Sequence, residues 1–133
     1  MKNVEHIGIA VKDINAAEKL FGILFNTNPY KRETVTSEFV ETSFFRVNET
    51  KIELLESTDP EGAIARFIEK KGEGVHHIAF EVEDIYAEME RLKGEGFILL
   101  NEKPKPGADN KLVCFLHPKE TNGVLIELCQ EIK

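Results

Sequence analysis

The motif VEHIGIAVKDI at residues 4–14 recurs as VHHIAFEVEDI at residues 75–85. The fold predicted for the chain depends on this internal repeat. At an offset of 71, seven of the thirteen positions from 4 to 16 are identical to their counterparts. The ends of the two halves also match, because Ile52-Glu53-Leu54 corresponds to Ile126-Glu127-Leu128. An internal repeat dictates architecture, so we predict two copies of one supersecondary unit.

Each copy begins with a strand pattern and continues with a helix signal. Asp13 and Asp84 stand where an N-cap belongs, each ahead of a segment whose apolar residues fall on one helical stripe. Further strands are predicted near residues 30–36, 39–47 and 51–56 in the first copy and near 97–100, 112–116 and 123–130 in the second. Between the copies, Asp59-Pro60 is predicted to open a connector helix that Gly72 closes.

These elements predict an α+β fold of two tandem βαβββ modules. The predicted boundaries are about 3–57 for module 1, about 59–72 for the connector helix and about 74–131 for module 2, within a single domain spanning 1–133.

Composition limits the function classes. The chain has 133 residues, 41% of them hydrophobic, and a net charge of −7, which disfavours nucleic-acid binding because phosphates require a basic face. No apolar run reaches about 18 residues and the opening residues lack the pattern of a secretory signal, so we expect no membrane span and a cytoplasmic location. Cys114 and Cys129 lie in apolar runs and are expected to be buried and unpaired.

Four polar side chains occupy repeated positions: His6 and His77 on the first strand of each module, Glu53 and Glu127 on the last. Their apolar neighbours point the other way, so all four are predicted to share the sheet face that is not packed on helices. Taken singly, a histidine in a strand is more often structural and an alternating glutamate more often faces solvent. Taken together, two imidazoles and two carboxylates suit Co²⁺, Mn²⁺, Ni²⁺ or Zn²⁺.

Longer stretches carry a family resemblance: EHIGIAV, NETKIELLE, AIARFIEKKGEGVHHIAFEVEDI and FLHPKETNGVLIEL. They resemble the vicinal oxygen chelate (glyoxalase) superfamily, and within it the methylmalonyl-CoA epimerase family over nearly the whole chain. The resemblance implies a cupped mixed sheet around a divalent metal, with Co²⁺ favoured, and a homodimer. The implied metal ligands are His6, Glu53, His77 and Glu127.

The resemblance also implies a reaction, the interconversion of the C2 epimers of methylmalonyl-CoA by proton abstraction through a metal-stabilised enolate. Glu127 is the first choice for the acid/base and Glu41 the second, because Thr42 stands where such epimerases often carry a general-base glutamate. Residues 101–119 hold four lysines against two acidic residues, a local charge of 4 − 2 = +2, and either bind an anionic ligand or form a solvated loop. Lys111 and Lys119 are the expected contacts to coenzyme A, although residues 107–111 depart from the GAHGK that the family favours.

Other functions of the same fold remain open from the sequence. A glyoxalase I type glutathione-dependent lyase would use the same ligand set. A ring-cleaving dioxygenase requires only two histidines and one carboxylate, so a fourth ligand makes it less suitable. A non-enzymatic small-molecule binding module of this fold generally lacks the metal.

Overall fold

The computed structural model describes all 133 residues and contains eight strands and three helices. Their bounds are β1 Asn3–Ala10, α1 Ile14–Phe25, β2 Lys31–Val35, β3 Val40–Val47, β4 Thr50–Ser57, α2 Ala63–Lys71, β5 Gly74–Glu81, α3 Ile85–Gly94, β6 Lys105–Gly107, β7 Lys111–Leu116 and β8 Ile126–Glu131. The order confirms the predicted α+β arrangement of two tandem βαβββ modules with a connector helix. The chain divides into a first unit, residues 6–76, and a second unit, residues 1–5 with 77–133.

The first unit is a four-stranded mixed sheet in the order β2-β3-β4-β1. Neighbouring strands are antiparallel except β1 and β4, which run parallel. Helix α1 covers one face, where Ile14, Phe45 and Leu54 form a core with the helix phenylalanines. Because side chains alternate along a strand, the residues between these core positions lie on the other face.

Helix α2 packs over one end of that other face. Its Ile64 is buried with Ala10, Val40 and Leu55, and its Phe67 and Ile68 lie alongside. The remainder of the face carries polar residues of β1, β3 and β4, which include two of the predicted metal ligands.

The second unit repeats the plan with the order β5-β8-β7-β6. Strands β5 and β8 are parallel, and the other pairs are antiparallel. Helix α3 covers one face through Ile85, Met89 and Leu92, which pack on Leu116 and Leu128. The opposite face has a smaller core of Ala79, Val113 and Cys129.

Both cysteines are buried and free, as predicted. Cys114 packs under α3, whereas Cys129 lies on the opposite face of the same sheet. Burial raises the pKa of the Cys114 thiol, which keeps it protonated. None of the three helices is long and apolar enough to cross a membrane.

Two predicted elements differ from the structure, and one strand was missed. The connector helix begins at Ala63, because Asp59 instead forms a turn in which its carboxylate accepts the amide of Glu61 at 2.8 Å. Residues 97–100 form no strand, only a single bridge from Leu99 to Leu116, because Phe97 and Leu99 pack on the α3 core. The edge strand β6 at Lys105–Gly107 was not predicted.

Candidate active site

The first unit holds one buried imidazole–carboxylate pair. His6 on β1 and Glu53 on β4 approach to 3.2 Å between Nδ1 and Oε2, and each side chain is 5% exposed. They reach each other because β1 and β4 are parallel neighbours, with Glu53 opposite Gly8 and Lys51 opposite His6. A carboxylate buried this deeply requires a polar partner, which the imidazole supplies.

The second unit holds an equivalent pair at the repeated positions. His77 Nε2 lies 3.2 Å from Glu127 Oε1, and the two side chains are 7% and 6% exposed. The ring of Phe115 meets the His77 ring edge-on at 5.9 Å between centroids, which limits the orientations the imidazole can adopt. Each unit therefore holds two of the four predicted ligands as one buried pair.

The donor atoms of these pairs suit a divalent cation. Two atoms that bind one cation at about 2.1 Å, at angles between a right angle and the tetrahedral angle, lie roughly 3.0 to 3.4 Å apart. The 3.2 Å separation of His6 from Glu53 falls in that range, as does that of His77 from Glu127. Nitrogen and oxygen donors of this kind are those of Zn²⁺, Co²⁺, Ni²⁺ and Mn²⁺ sites.

Lys51 was missed by the sequence reasoning. It is 8% exposed and stands in register with His6, so it places an ammonium group on the same face as the first pair. The sequence does contain a signal for this position: Lys51 stands two residues before Glu53 on β4, so both side chains point to the same face of the sheet. A buried lysine needs polar partners, so its presence marks this face as polar.

Glu41 lies on the other face of the sheet. Its carboxylate accepts a hydrogen bond of 2.7 Å from Arg32, which also binds Glu18 and Asn15 of α1. The hydrogen bond from Arg32 holds the pKa of the Glu18 carboxyl below its usual value, and hydrogen bonds to Glu18 and Glu41 raise the pKa of Arg32. The contacts of Glu41 thus favour a structural role over the catalytic role predicted from the sequence.

Thr42, the next residue, points to the face that carries Glu53. It is 1% exposed, and its hydroxyl oxygen is buried without a hydrogen-bond partner. No sequence pattern signals such a group, because the absence of a partner depends on the three-dimensional surroundings.

The two lysines expected to contact coenzyme A occupy different surroundings. Lys111 is largely buried, with its Nζ 3.9 Å from a carboxylate oxygen of Glu5. Lys119 is exposed in a short 3-10 turn at Pro118–Glu120. Lys119 is therefore the more accessible of the two to an anion from solvent.

The remaining histidines have structural contacts. His76 packs edge-on against Phe67 of α2 at 4.9 Å between ring centroids. The His117 Nδ1 accepts the amide of Lys119 at 3.0 Å and so caps the 3-10 turn.

Comparison with known proteins agrees with this fold. The model of the glyoxalase/bleomycin resistance protein/dioxygenase superfamily matches residues 5–115. An ethylmalonyl-CoA/methylmalonyl-CoA epimerase of Cereibacter sphaeroides is 40% identical over 129 residues, which are 96% of each chain. The chain therefore belongs to this superfamily and, within it, to the methylmalonyl-CoA epimerase family.

Solved structures lead to the same family. A variant of Streptomyces coelicolor methylmalonyl-CoA epimerase in complex with 2-nitronate-propionyl-CoA is similar with a TM-score of 0.96, at 29% identity over 100% of this chain and 99% of that one. A methylmalonyl-CoA epimerase in complex with methylmalonyl-CoA and NH4+ is similar with a TM-score of 0.95, at 30% identity over 98% and 95% of the two chains.

Proposed function

We propose that the chain is a metal-dependent epimerase that interconverts the C2 epimers of methylmalonyl-CoA. The observation that carries the proposal is the buried imidazole–carboxylate pair at the same position of both modules. The relatives support the substrate, since one is described with methylmalonyl-CoA bound and others bear the name of this activity.

The proposed metal ligands are His6, Glu53, His77 and Glu127, with Co²⁺ favoured over Mn²⁺, Ni²⁺ or Zn²⁺. Two carboxylates neutralise the charge of a divalent cation, and two imidazoles complete a borderline donor set. The cation would supply Lewis acidity that makes the C2 proton of the malonyl thioester more acidic.

Glu127 is proposed to move the proton. Its carboxylate takes the proton from C2, and the electron pair of the broken C–H bond passes to the thioester oxygen. Solvent water, directly or through an acidic group on the other face, then gives a proton to C2, the electron pair returns from the thioester oxygen to form the new C–H bond in the opposite configuration, and Glu127 releases its proton to solvent. The Phe115 ring lies against the His77 imidazole and so places apolar surface beside this imidazole–carboxylate pair.

Coenzyme A and the assembly are proposed from the family. Exposed Lys119 is the proposed contact to a coenzyme A phosphate. Lys111 is proposed to add positive charge to the same basic segment, although its ammonium group is paired with Glu5. A homodimer is proposed on the same grounds, and the cytoplasmic location expected from the sequence is kept as a proposal.

The experiment that tests the function follows a single epimer of methylmalonyl-CoA in D₂O with the protein loaded with Co²⁺. We expect both appearance of the other epimer and deuterium at C2, measured by chiral chromatography and NMR. Parallel incubation with methylglyoxal and glutathione tests the lyase. Formation of lactoylglutathione without epimerisation of methylmalonyl-CoA would contradict the proposal.

A further inference from the structure

Thr42, in the middle of β3, carries a buried hydroxyl that bonds to nothing in the protein. Buried polar groups in folded proteins are nearly always hydrogen-bonded, so one without a partner calls for a physical reason. A valine has nearly the same shape and favours strands. It would occupy the position without the free-energy cost of burying a hydroxyl that has no hydrogen bond. The hydroxyl thus destabilises the free protein.

The hydroxyl stands on the face that carries Glu53. Thr42 is in register with Glu33 on β2 and Leu55 on β4, and Glu53 is its diagonal neighbour, at about 7 to 8 Å between Cα atoms by strand geometry. The next residue, Ser43, has the opposite parity, and its hydroxyl donates to Glu18 of α1 at 2.5 Å. The two adjacent hydroxyls therefore differ: Ser43 has a hydrogen-bond partner on the face covered by α1, whereas Thr42 has none on the face that carries Glu53.

The immediate neighbours explain why the protein leaves Thr42 unpaired. Leu55 offers no polar atom, and the Glu33 carboxylate lies 3.2 Å from Lys31 of the same strand. A threonine hydroxyl has one proton to donate, and an oxygen that bears negative charge is its strongest acceptor. A ligand whose acyl group carries carboxylate and thioester oxygens supplies acceptors of this kind.

We propose that the Thr42 hydroxyl donates a hydrogen bond to an oxygen of the acyl group of bound acyl-CoA, and so positions the reacting part of the ligand. This inference rests on the proposed function for the identity of the ligand. Thr42 is a positioning residue that contacts the substrate, and it takes no proton from C2. The group that is unpaired in the free protein becomes paired when the ligand binds.

The test compares Thr42→Val with wild type and with Ser43→Ala as matched control. In the free protein, Thr42→Val is expected to raise Tm by about 4 °C, because it removes a buried unpaired hydroxyl. Ser43→Ala is expected to lower Tm, because it removes the hydrogen bond that the Ser43 hydroxyl donates to the Glu18 carboxylate. Thermal unfolding monitored by circular dichroism measures both.

Isothermal titration then measures the affinity of the same proteins for malonyl-CoA, propionyl-CoA and free coenzyme A. Thr42→Val is expected to bind malonyl-CoA at least about 10-fold more weakly, with free coenzyme A unchanged, whereas Thr42→Ser and Ser43→Ala bind like wild type. If Thr42→Val also binds propionyl-CoA more weakly, the acceptor is the thioester oxygen. If its affinity falls for malonyl-CoA alone, the acceptor is the carboxylate.

Equal affinity of wild type and Thr42→Val for malonyl-CoA would overturn this inference and leave the proposed function intact. An equal loss of affinity for free coenzyme A would also overturn it, since the acyl group would then not be the acceptor. Absence of acyl-CoA binding by wild type would overturn both proposals.

Discussion

Two glutamates predicted to be catalytic show how strongly the surroundings of a residue decide its role. Glu127 is buried beside His77, whereas Glu41 accepts a hydrogen bond from Arg32 on the face that packs on α1. Both were chosen from the sequence as acid/base residues, and strand parity separates them. The same carboxylate chemistry therefore leads to different expectations for the two positions.

We expect Glu127→Gln to lower the rate of C2 deuterium exchange by at least about 100-fold, because an amide cannot accept the proton in the way a carboxylate does. Glu41→Gln is expected to keep most of the exchange rate and to lose stability through the weakened contact with Arg32. Exchange is followed by NMR in D₂O and stability by urea unfolding. A large loss of exchange in a folded Glu41→Gln protein would restore the catalytic role of Glu41.

The pH dependence of stability should contain a contribution from Glu18. Its pKa is lowered from the ordinary value of 4.5, chiefly by the hydrogen bond from Arg32, so the unfolded chain binds this proton more readily than the folded one. The resulting stabilisation is complete above about pH 4.5 and is lost as the pH falls through the folded-state pKa. Glu18→Gln should flatten the acid limb of the free energy of unfolding, measured with urea at a series of pH values. Glu69→Gln, at an exposed position of α2, should leave that limb unchanged.

The sequence could reveal the paired residues but not their surroundings. His6 and His77 stand out because the repeat places them at equivalent positions, and parity then assigns each to a face. The unpaired hydroxyl of Thr42 and the pairing of Lys111 with Glu5 depend on residues distant in the sequence or on the absence of a neighbour. Local patterns carry no information about either.

The elements were most predictable where a cap and an apolar stripe coincide. Asp13 and Asp84 cap α1 and α3 as predicted, each accepting the amides two and three residues ahead. The same reasoning failed at Asp59, because its carboxylate accepts the amide of Glu61 in a turn and the N-cap position of α2 falls on Gly62. Strand β6 escaped prediction because Lys105-Pro106-Gly107 has neither alternation nor strand-forming residues, and only an edge position tolerates its proline.

The cap of α3 gives a direct prediction of element stability. Asp84 Oδ1 accepts the amides of Tyr86 and Ala87 at 3.1 and 3.2 Å. Asp84→Ala should lower the free energy of unfolding by about 1 kcal/mol, whereas Asp84→Asn should change it little because asparagine caps equally well. Urea unfolding measures both variants. A loss of equal size in both would show that the charge near the helix end matters more than the cap geometry.

At the scale of the whole molecule, the repeat places one imidazole–carboxylate pair in each unit, and this symmetry makes the stoichiometry of metal binding informative. A cation held by His6, Glu53, His77 and Glu127 together requires both modules, so each chain should bind one cation, and loss of one histidine should abolish the site. Two pairs that bound separately would hold two cations per chain, and each would survive damage to the other. Counting cations therefore distinguishes a shared site from two separate ones.

We expect purified protein stripped of metal to take up one Co²⁺ per chain, measured by elemental analysis after gel filtration. At a free Co²⁺ concentration of 100 times Kd, the folded state gains about 2.7 kcal/mol, which for a chain of this length raises Tm by roughly 10 °C. His77→Ala should lose both the bound cation and the rise in Tm. His76→Ala is the matched control, because the adjacent imidazole packs on Phe67 and should leave the uptake of Co²⁺ unchanged. Uptake of two Co²⁺ per wild-type chain, or of one by His77→Ala, would instead show that each module binds its own cation and that no shared site of four ligands exists.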